Sequence, residues 1–469
     1  MKSSILFSVA AASTAYAAVV VESRQASNWT VGQTVKTTSG SVAGHAALNQ
    51  TEVSEYLGIP FAQPPVADLR FEAPVKYTGN TELSGLSYLA QLDLQRGLLV
   101  CECVDEAANW GTEEGGLGVD IRCYRLSILG FPGNPNGTAN VALLDQRMAI
   151  EWVRDNIENF GGDKSRITIF GQSAGGVSVD LYSYAYSSDP IAAGFIPESG
   201  TVFSWGLPNT KAAAASATGT AGILGYFGPT VDNTIVFSNY TGRTPANVPV
   251  LLGNNDYEAG LFRVQFGLNN LTLPDRFWNA FDLQEFTCPA GIRANVSAAA
   301  KIPTWRYRYL GVWDNTALSP QSGAYHGAEI PVLFNTAPTN PPASEEYVAV
   351  GNYMRGAWAA FAKDPVEGLT KYGWPSYSST SDSLVRLAYQ NMTGTNAVNP
   401  SLLFGDSGVC HSKPNTFKHT LKYAVIYREC STNCKYQCRN KILGIFKRGA
   451  HGGCNAGGRL TRSVREELE

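Results

Sequence analysis

The hydrophobic positions of the chain change repeatedly between helical and extended spacing. Between residues 141 and 159, apolar residues recur at the spacing of one helix face, and Gly161 and Gly162 follow as a stop signal. Residues 166–170 are then predicted as a short buried strand. The same order recurs later, with predicted strands at 248–252 and 305–309 and a predicted amphipathic helix at 344–363. Helices that alternate with buried strands predict an α/β fold with a central, mostly parallel sheet flanked by helices.

The N-terminal part of the chain shows two further patterns. Residues 34–47 alternate around a Ser-Gly turn and are predicted to form a hairpin. Residues 1–17 have a lysine, a short apolar stretch and an Ala15-Tyr16-Ala17 site, which predict a signal peptide cut after Ala17. The alternative is a signal anchor, because residues 18–21 extend the apolar stretch.

The composition is that of a chain with a large core. Hydrophobic residues make up 44% of the 469 residues and aromatic residues 11%, which excludes a disordered or fibrous chain. Seven N-x-S/T sequons accompany the predicted signal peptide and favour a secreted glycoprotein. They are Asn28, Asn49, Asn136, Asn239, Asn270, Asn295 and Asn391. The nine cysteines are an odd number, so at least one thiol is unpaired or bridges to another chain.

The net charge of −3 conceals two different parts of the chain. Residues 410–469 hold 12 Lys and Arg against 4 Asp and Glu, and five of the nine cysteines. We therefore separate a tail, residues 405–469, from a main domain, residues 18–404. In the tail Cys430, Cys434, Cys438, His451 and Cys454 lack the usual two-pair spacing of a zinc site. The tail stays unassigned, either as an added module or as the product of a misplaced exon boundary.

The segment with the clearest chemistry follows the predicted strand at 166–170. Gly171-Gln172-Ser173-Ala174-Gly175-Gly176 is a G-x-S-x-G sequence between a strand and a helix, the context of a nucleophile elbow. Such a turn exposes the hydroxyl of Ser173 at the edge of the sheet. It also directs the backbone N–H of Ala174, at a helix N-terminus, toward the oxyanion of a tetrahedral intermediate.

A serine nucleophile needs a base, and residues 1–409 contain two histidines, His45 and His326. The chain order of an α/β-hydrolase is serine, acid, histidine, so His326 fits and His45, upstream of Ser173, does not. The acid is expected after a buried strand between Ser173 and His326. Asp256 and Glu258 both satisfy that pattern.

The sequence resembles the type-B carboxylesterase/lipase family, the cholinesterase-like α/β-hydrolases, and most of all its secreted fungal members. The resemblance covers residues 34–404 in pieces: 57–65, 69–71, 124–126, 130–131, 144–146, 152–157, 160–163, 171–176, 198–200 and 326–330. A further stretch, Asp256-Tyr257-Glu258-Ala259-Gly260-Leu261-Phe262, matches the family's acid segment, and the resemblance therefore favours Glu258.

The resemblance implies an α/β-hydrolase fold and a carboxylic ester hydrolase that acts through an acyl-enzyme. The implied catalytic residues are Ser173, Glu258 and His326, with Ala174 as an oxyanion donor, and no metal or organic cofactor is expected. The expected substrate is a small-molecule or lipid ester. We expect neither a nucleic-acid partner nor stable insertion into a membrane.

Two features depart from the family. The family's H-G-G-G loop, which completes the oxyanion hole, is missing, and only 52 residues separate Phe71 from Tyr124. Gly115 and Gly116 are candidates to replace it. Because losing one oxyanion donor costs about 10²–10³ in kcat, the alternative is an impaired or inactive secreted member, a binding protein or pseudoenzyme. Trp205 is expected either to line a substrate pocket or to belong to the core.

Overall fold

The computed structural model of the protein describes most of the main domain and little of the tail. The described residues are 16–23, 29–47, 50–80, 82–85, 117–121, 124–133, 137–205, 227–402, 426–427 and 441–442. The chain divides into two compact units, Met1–Lys413 and Pro414–Glu469. In the second unit the described residues are two short antiparallel strands, β12 (Ile426–Tyr427) and β13 (Lys441–Ile442). The tail cysteines and His451 lie outside the described residues.

A seven-stranded sheet forms the centre of the first unit. Its strands are β1 (Tyr16–Ser23), β6 (Leu117–Ile121), β7 (Gly162–Gln172), β8 (Gly194–Glu198), β9 (Val250–Asn255), β10 (Thr304–Tyr309) and β11 (Leu384–Leu387). Their order across the sheet is β11-β10-β9-β8-β7-β1-β6. The five strands from β7 to β11 are parallel, whereas β1 is antiparallel to both of its neighbours. This arrangement confirms the predicted mostly parallel sheet.

Both faces of the sheet are covered, and the strand pleat explains how. On β9, Leu251 packs in one hydrophobic cluster while Val250 and Leu252 pack in another. On β8, Ile196 and Phe195 divide between the same two clusters. Successive side chains of a strand point to opposite faces, so a strand buried on both faces reads as a continuous apolar run.

The helices pack beside this sheet. They are α1 (Ser127–Gly130), α2 (Val141–Asn156), α3 (Ala174–Ala185), α4 (Ala259–Leu268), α5 (Asp275–Asp282), α6 (Cys288–Ala299), α7 (Ile330–Leu333), α8 (Glu345–Lys363) and α9 (Gly368–Lys371). A π-helical turn, Leu283–Thr287, joins α5 to α6. No described helix is long and apolar enough to cross a bilayer.

Two of these helices begin and end where the sequence predicts. α2 runs into a 3-10 turn, Ile157–Phe160, and Gly161 then takes a left-handed conformation with φ of 83°. α8 starts after Ser344, whose side chain accepts a hydrogen bond from the backbone N–H of Tyr347 at 3.1 Å. This cap and an acidic first turn stabilise the helix N-terminus.

Small hairpins precede the sheet in the chain. β2 (Val35–Thr37) pairs with β3 (Gly40–Val42), which confirms a hairpin within residues 34–47. β4 (His45–Ala47) pairs with β5 (Gln50–Glu55). The first strand of the sheet, β1, begins at Tyr16, so the predicted cut after Ala17 would leave Ala18–Ser23 paired with β7.

A buried ion pair between Arg125 and Asp145 connects residues 69–72 to α2. Arg125 forms two hydrogen bonds with Asp145 through its guanidinium, at 2.6 and 2.8 Å, and both side chains are almost fully buried. The third guanidinium nitrogen, Nη1, donates to the backbone carbonyls of Leu69, Arg70 and Glu72. The cation therefore holds an irregular segment against the helix.

We expect Asp145→Asn to lower the free energy of unfolding by about 3–5 kcal/mol, because it leaves a buried guanidinium without its counter-charge. Urea unfolding checks this value. The control is Glu158→Gln, which removes an exposed pair with Lys164 and should change stability by less than about 0.5 kcal/mol. Equal losses in the two variants would contradict the importance of the buried pair.

Candidate active site

Ser173 lies at the sharp turn between β7 and α3. Its backbone has φ of 60° and ψ of −120°, a conformation that L-residues rarely adopt. The turn fits because two neighbouring glycines leave room for it. A Cβ on Gly200 would lie 2.2 Å from the carbonyl oxygen of Ser173, and a Cβ on Gly176 would lie 2.5 Å from that of Glu198. Ser173 therefore lies on the strand-to-helix turn that the sequence predicts, and Gly176 and Gly200 leave room for that turn.

The structure brings the three predicted catalytic side chains into one hydrogen-bonded line. His326 Nε2 lies 2.6 Å from Ser173 Oγ, and His326 Nδ1 lies 2.6 Å from Glu258 Oε2. All three residues are buried, and Glu258 has no exposed surface. A hydroxyl, an imidazole and a carboxylate in this order have the geometry in which the imidazole can accept the hydroxyl proton and the carboxylate can stabilise the imidazolium.

Glu258 also binds groups beyond the imidazole. Its second oxygen, Oε1, accepts hydrogen bonds from Ser199 Oγ and from the backbone N–H of Asn255, each at 2.6 Å. Three donors therefore surround one carboxylate, as a charge withdrawn from water requires.

Each of these groups follows the carboxyl end of a parallel strand. Ser173 comes after β7, Ser199 after β8, Glu258 after β9 and His326 in the long loop after β10. Backbone bonds continue the sheet ladder into the turns, from Ser173 N to Glu198 O at 2.9 Å and from Ser199 N to Gly253 O at 2.9 Å. The site is thus assembled at one edge of the sheet, where parallel strands place their functional loops.

Aromatic rings cover the imidazole. The ring of Phe286 lies 5.0 Å from that of His326, and the ring of Phe262 lies 5.5 Å away. Phe286 belongs to the π-helical turn, an irregularity often found at functional sites. Trp205 is half-buried and packs edge-on against Phe286, with the ring centroids 5.7 Å apart. Phe286 therefore lies between Trp205 and His326.

Two more buried carboxyl groups lie close to the site. Burial raises the pKa of Glu198 to about 8, partly opposed by a 2.7 Å hydrogen bond from Trp358 Nε1. Burial, followed by the charges of Glu258 and Glu198, raises the pKa of Glu329 well above its usual range. One oxygen of each group has no hydrogen-bond partner among the described residues, which suits a protonated carboxyl.

Two other sequence candidates lie apart from this line. Asp256 is about half exposed and pairs with Arg308 at 2.9 Å, so the carboxylate that reaches His326 is Glu258. His45 pairs with Glu55 in the β4–β5 hairpin. Gly115 and Gly116, the candidates for the second oxyanion donor, lie outside the described residues.

Several residues that form contacts in the site carry no recognisable signal in the sequence. Asn255 carries no chemical signature in the sequence, and Phe286 lies 40 residues before His326 without a motif. Ser199 stands in a stretch that resembles the family, but the pattern assigns it no role. Among the described residues, no group of three or more His, Cys, Asp or Glu is arranged to hold a metal ion.

Comparison with known proteins identifies the family. A model of the carboxylesterase family matches residues 31–83 and 119–246. Secreted lipase 5 of Gibberella zeae is 30% identical, over 77% of this chain and 91% of its own length. The chain belongs to the carboxylesterase family. The chlorogenic acid esterase of Aspergillus niger is also 30% identical, over 76% of this chain and 90% of its own length.

A solved structure agrees with the fold. A pNB esterase superposes with a TM-score of 0.61 at 21% identity, over 76% of this chain and 96% of its own. The fold is therefore that of the α/β-hydrolases, and membership of the carboxylesterase family supports ester hydrolysis as the reaction class. The two stretches matched by the family model leave out residues 84–118, within the segment where the H-G-G-G loop is missing.

The buried carboxyl of Glu198 predicts a pH dependence of stability. Its pKa rises from an ordinary 4.5 to about 8 in the folded protein, so between these values the folded state binds more protons than the unfolded state. The contribution of this group to stability is complete below about pH 4.5 and is lost as the pH rises through about 8. The slope reaches at most about 1.4 kcal/mol per pH unit.

We therefore expect Glu198→Gln, which cannot ionise, to show a flatter decline in the free energy of unfolding between pH 5 and 8 than the wild type. Denaturant unfolding at several pH values measures this slope. The exposed variant Glu158→Gln should keep the slope of the wild type. A Glu198→Gln slope that equals the wild-type slope would show that Glu198 does not hold this proton.

Proposed function

We propose that the protein is a carboxylic ester hydrolase that uses Ser173, His326 and Glu258 as a catalytic triad and passes through an acyl-enzyme. The observation that carries this proposal is the unbroken line from Ser173 Oγ through the imidazole to Glu258, with 2.6 Å at each hydrogen bond. The strained backbone conformation of Ser173, with its positive φ, and the complete burial of Glu258 support the proposal.

In the first half of the reaction, Ser173 Oγ attacks the ester carbonyl and His326 Nε2 takes the hydroxyl proton. Glu258 stabilises the imidazolium through Nδ1. The negative oxygen of the tetrahedral intermediate accepts a hydrogen bond from Ala174 N–H, the first amide of α3. The intermediate collapses as His326 gives its proton to the departing alcohol, and an acyl-serine remains.

In the second half, His326 removes a proton from water as the water attacks the acyl-serine. The second tetrahedral intermediate uses the same Ala174 donor and then releases the carboxylic acid, while the proton returns to Ser173 Oγ. Metal and organic cofactors take no part in these proposed steps.

The substrate class is a small-molecule or lipid ester. The two relatives named above are called a lipase and a chlorogenic acid esterase, and the substrates of both kinds of enzyme contain an ester bond. The buried rings of Phe262 and Phe286 pack against His326, and the half-buried ring of Trp205 lies against Phe286.

We also propose that the protein is secreted and N-glycosylated. Of the seven sequons, the four at described positions, Asn239, Asn270, Asn295 and Asn391, are all exposed. Cys288 is disulfide-bonded, as is common in oxidising compartments. One relative is named a secreted lipase.

The test of the catalytic proposal is Ser173→Ala, which removes the nucleophile without adding bulk. Hydrolysis of a p-nitrophenyl ester by purified protein should fall more than about 10³-fold, and a fluorophosphonate probe should no longer label the chain. Ser165→Ala is the matched control, because Ser165 is an exposed serine on the same strand. It should keep both activities.

The alternative is an inactive family member, a binding protein or pseudoenzyme, motivated by the missing oxyanion loop. It predicts no labelling of wild-type Ser173 and equal background hydrolysis by the wild type and Ser173→Ala. Labelling of Ser173 would exclude this alternative, because the probe reacts with an activated serine.

Glycosylation has its own measurement. Protein secreted from a eukaryotic host should lose apparent mass on treatment with peptide-N-glycosidase, and Asn→Gln changes at the four exposed sequons should remove part of that loss. An unchanged mass after treatment of the secreted wild type would contradict this proposal. Sequencing the N-terminus of the same material tests the cut after Ala17.

A further inference from the structure

The acid and the base of the proposed triad stand on different segments that must keep a fixed spacing. Glu258 lies in the turn after β9, and His326 lies 68 residues later in the loop after β10. A direct backbone bond between them, from His326 N to Glu258 O, is long at 3.3 Å. Other contacts must therefore fix the histidine loop against the acid turn.

Asn255, the last residue of β9, makes such contacts and is completely buried. Its side-chain Nδ2 donates to the backbone carbonyl of Tyr325 at 2.7 Å and to Glu329 Oε2. Its backbone N–H donates to Glu258 Oε1 at 2.6 Å. One residue thus contacts the acid, the residue before His326 and a residue three positions after it.

The chemistry of these contacts fixes the orientation of the amide. The carbonyl of Tyr325 can only accept a hydrogen bond, so the NH₂ group of Asn255, and not its oxygen, must face the histidine loop. The two N–H bonds of that group then serve the two ends of the segment that carries His326. An aspartate has the same shape but no N–H to give, and an alanine reaches neither partner.

We propose that Asn255 is a positioning residue, which holds the segment Tyr325–Glu329 so that His326 stays in line between Ser173 and Glu258. The inference rests on the proposed function, because it assigns a role in the same reaction. The hydrogen bonds of the Asn255 side chain go to Tyr325 and Glu329, on either side of His326, so it acts through the placement of the base. Misplacement by about 1 Å can reduce a catalysed rate by about 10².

The first experiment compares Asn255→Ala with Asn254→Ala. Asn254 is the adjacent buried asparagine of β9, and its amide donates to Asn255 O and to Thr287 Oγ1 instead of to the histidine loop. Asn255→Ala should lower kcat for a p-nitrophenyl ester by about 10–100-fold, leave KM within about threefold, and slow fluorophosphonate labelling by the same factor as kcat. Asn254→Ala should keep kcat within about twofold, even where its thermal midpoint falls.

A second experiment exchanges donor and acceptor. Asn255→Asp removes both N–H groups and adds a charge beside Glu258 and Glu329, so it should lose more kcat than Asn255→Ala. Adding Glu329→Gln removes the second carboxyl and supplies an amide N–H to the aspartate at position 255. The double variant should recover at least about tenfold of the kcat lost by Asn255→Asp.

The outcomes separate the role of Asn255 from the proposed function. If wild-type turnover and labelling do not depend on Ser173, the proposed function fails and no positioning role exists. If the wild type is active, equal losses of kcat in Asn254→Ala and Asn255→Ala would overturn the inference. Recovery of the thermal midpoint without recovery of kcat in the double variant would overturn it as well, since that pattern marks a structural contact only.

Discussion

The burial of one carboxylate, Glu258, is the constraint on which the site depends. An ionised carboxyl without water is stable only when protein donors replace its hydration. Those donors arrive from Ser199 after β8, from the backbone of Asn255 at the end of β9 and from His326 in the loop after β10. Satisfying this single charge therefore brings three segments to one edge of the sheet. The same bonds orient the imidazole toward Ser173.

The resulting site joins strain with close packing. Ser173 holds an unfavourable backbone conformation, which the adjoining strand, helix and glycines fix from both sides. Buried aromatic rings pack against the imidazole. Two further buried carboxyl groups with raised pKa values, Glu198 and Glu329, lie close to the site. Burial raises the pKa of both groups and so favours their neutral form, which avoids a second buried charge beside that of Glu258.

Whether the sequence predicts a feature depends on how far apart along the chain the residues that form it lie. The strands and helices around Ser173 have strong local periodicity, and β7, β9, β10, α2 and α8 appear close to their predicted places. The chain order of an α/β-hydrolase selected His326, because only two histidines precede the tail. By contrast, the spacing did not show which of Asp256 and Glu258 is the acid. The structure distinguishes them, because Glu258 is buried whereas Asp256 pairs with Arg308 near the surface. The contacts of Asn255 reach 70 residues or more along the chain, and no local pattern encodes them. Strand β1 was hidden for another reason, because its apolar residues adjoin the predicted signal peptide.

The position of β1 has a consequence for how the chain folds. Val19 and Ile169 are partners in the sheet although they stand about 150 residues apart in the sequence. A ribosome delivers β1 first, yet its place between β6 and β7 exists only after both of those strands have been made. The apolar segment Val19-Val20-Val21 therefore lacks a partner on one side until β7 has been made, and an unpaired apolar strand is prone to aggregation. The pairing of β1 with β7 therefore joins segments about 150 residues apart, and closing so long a loop before any contact forms slows folding.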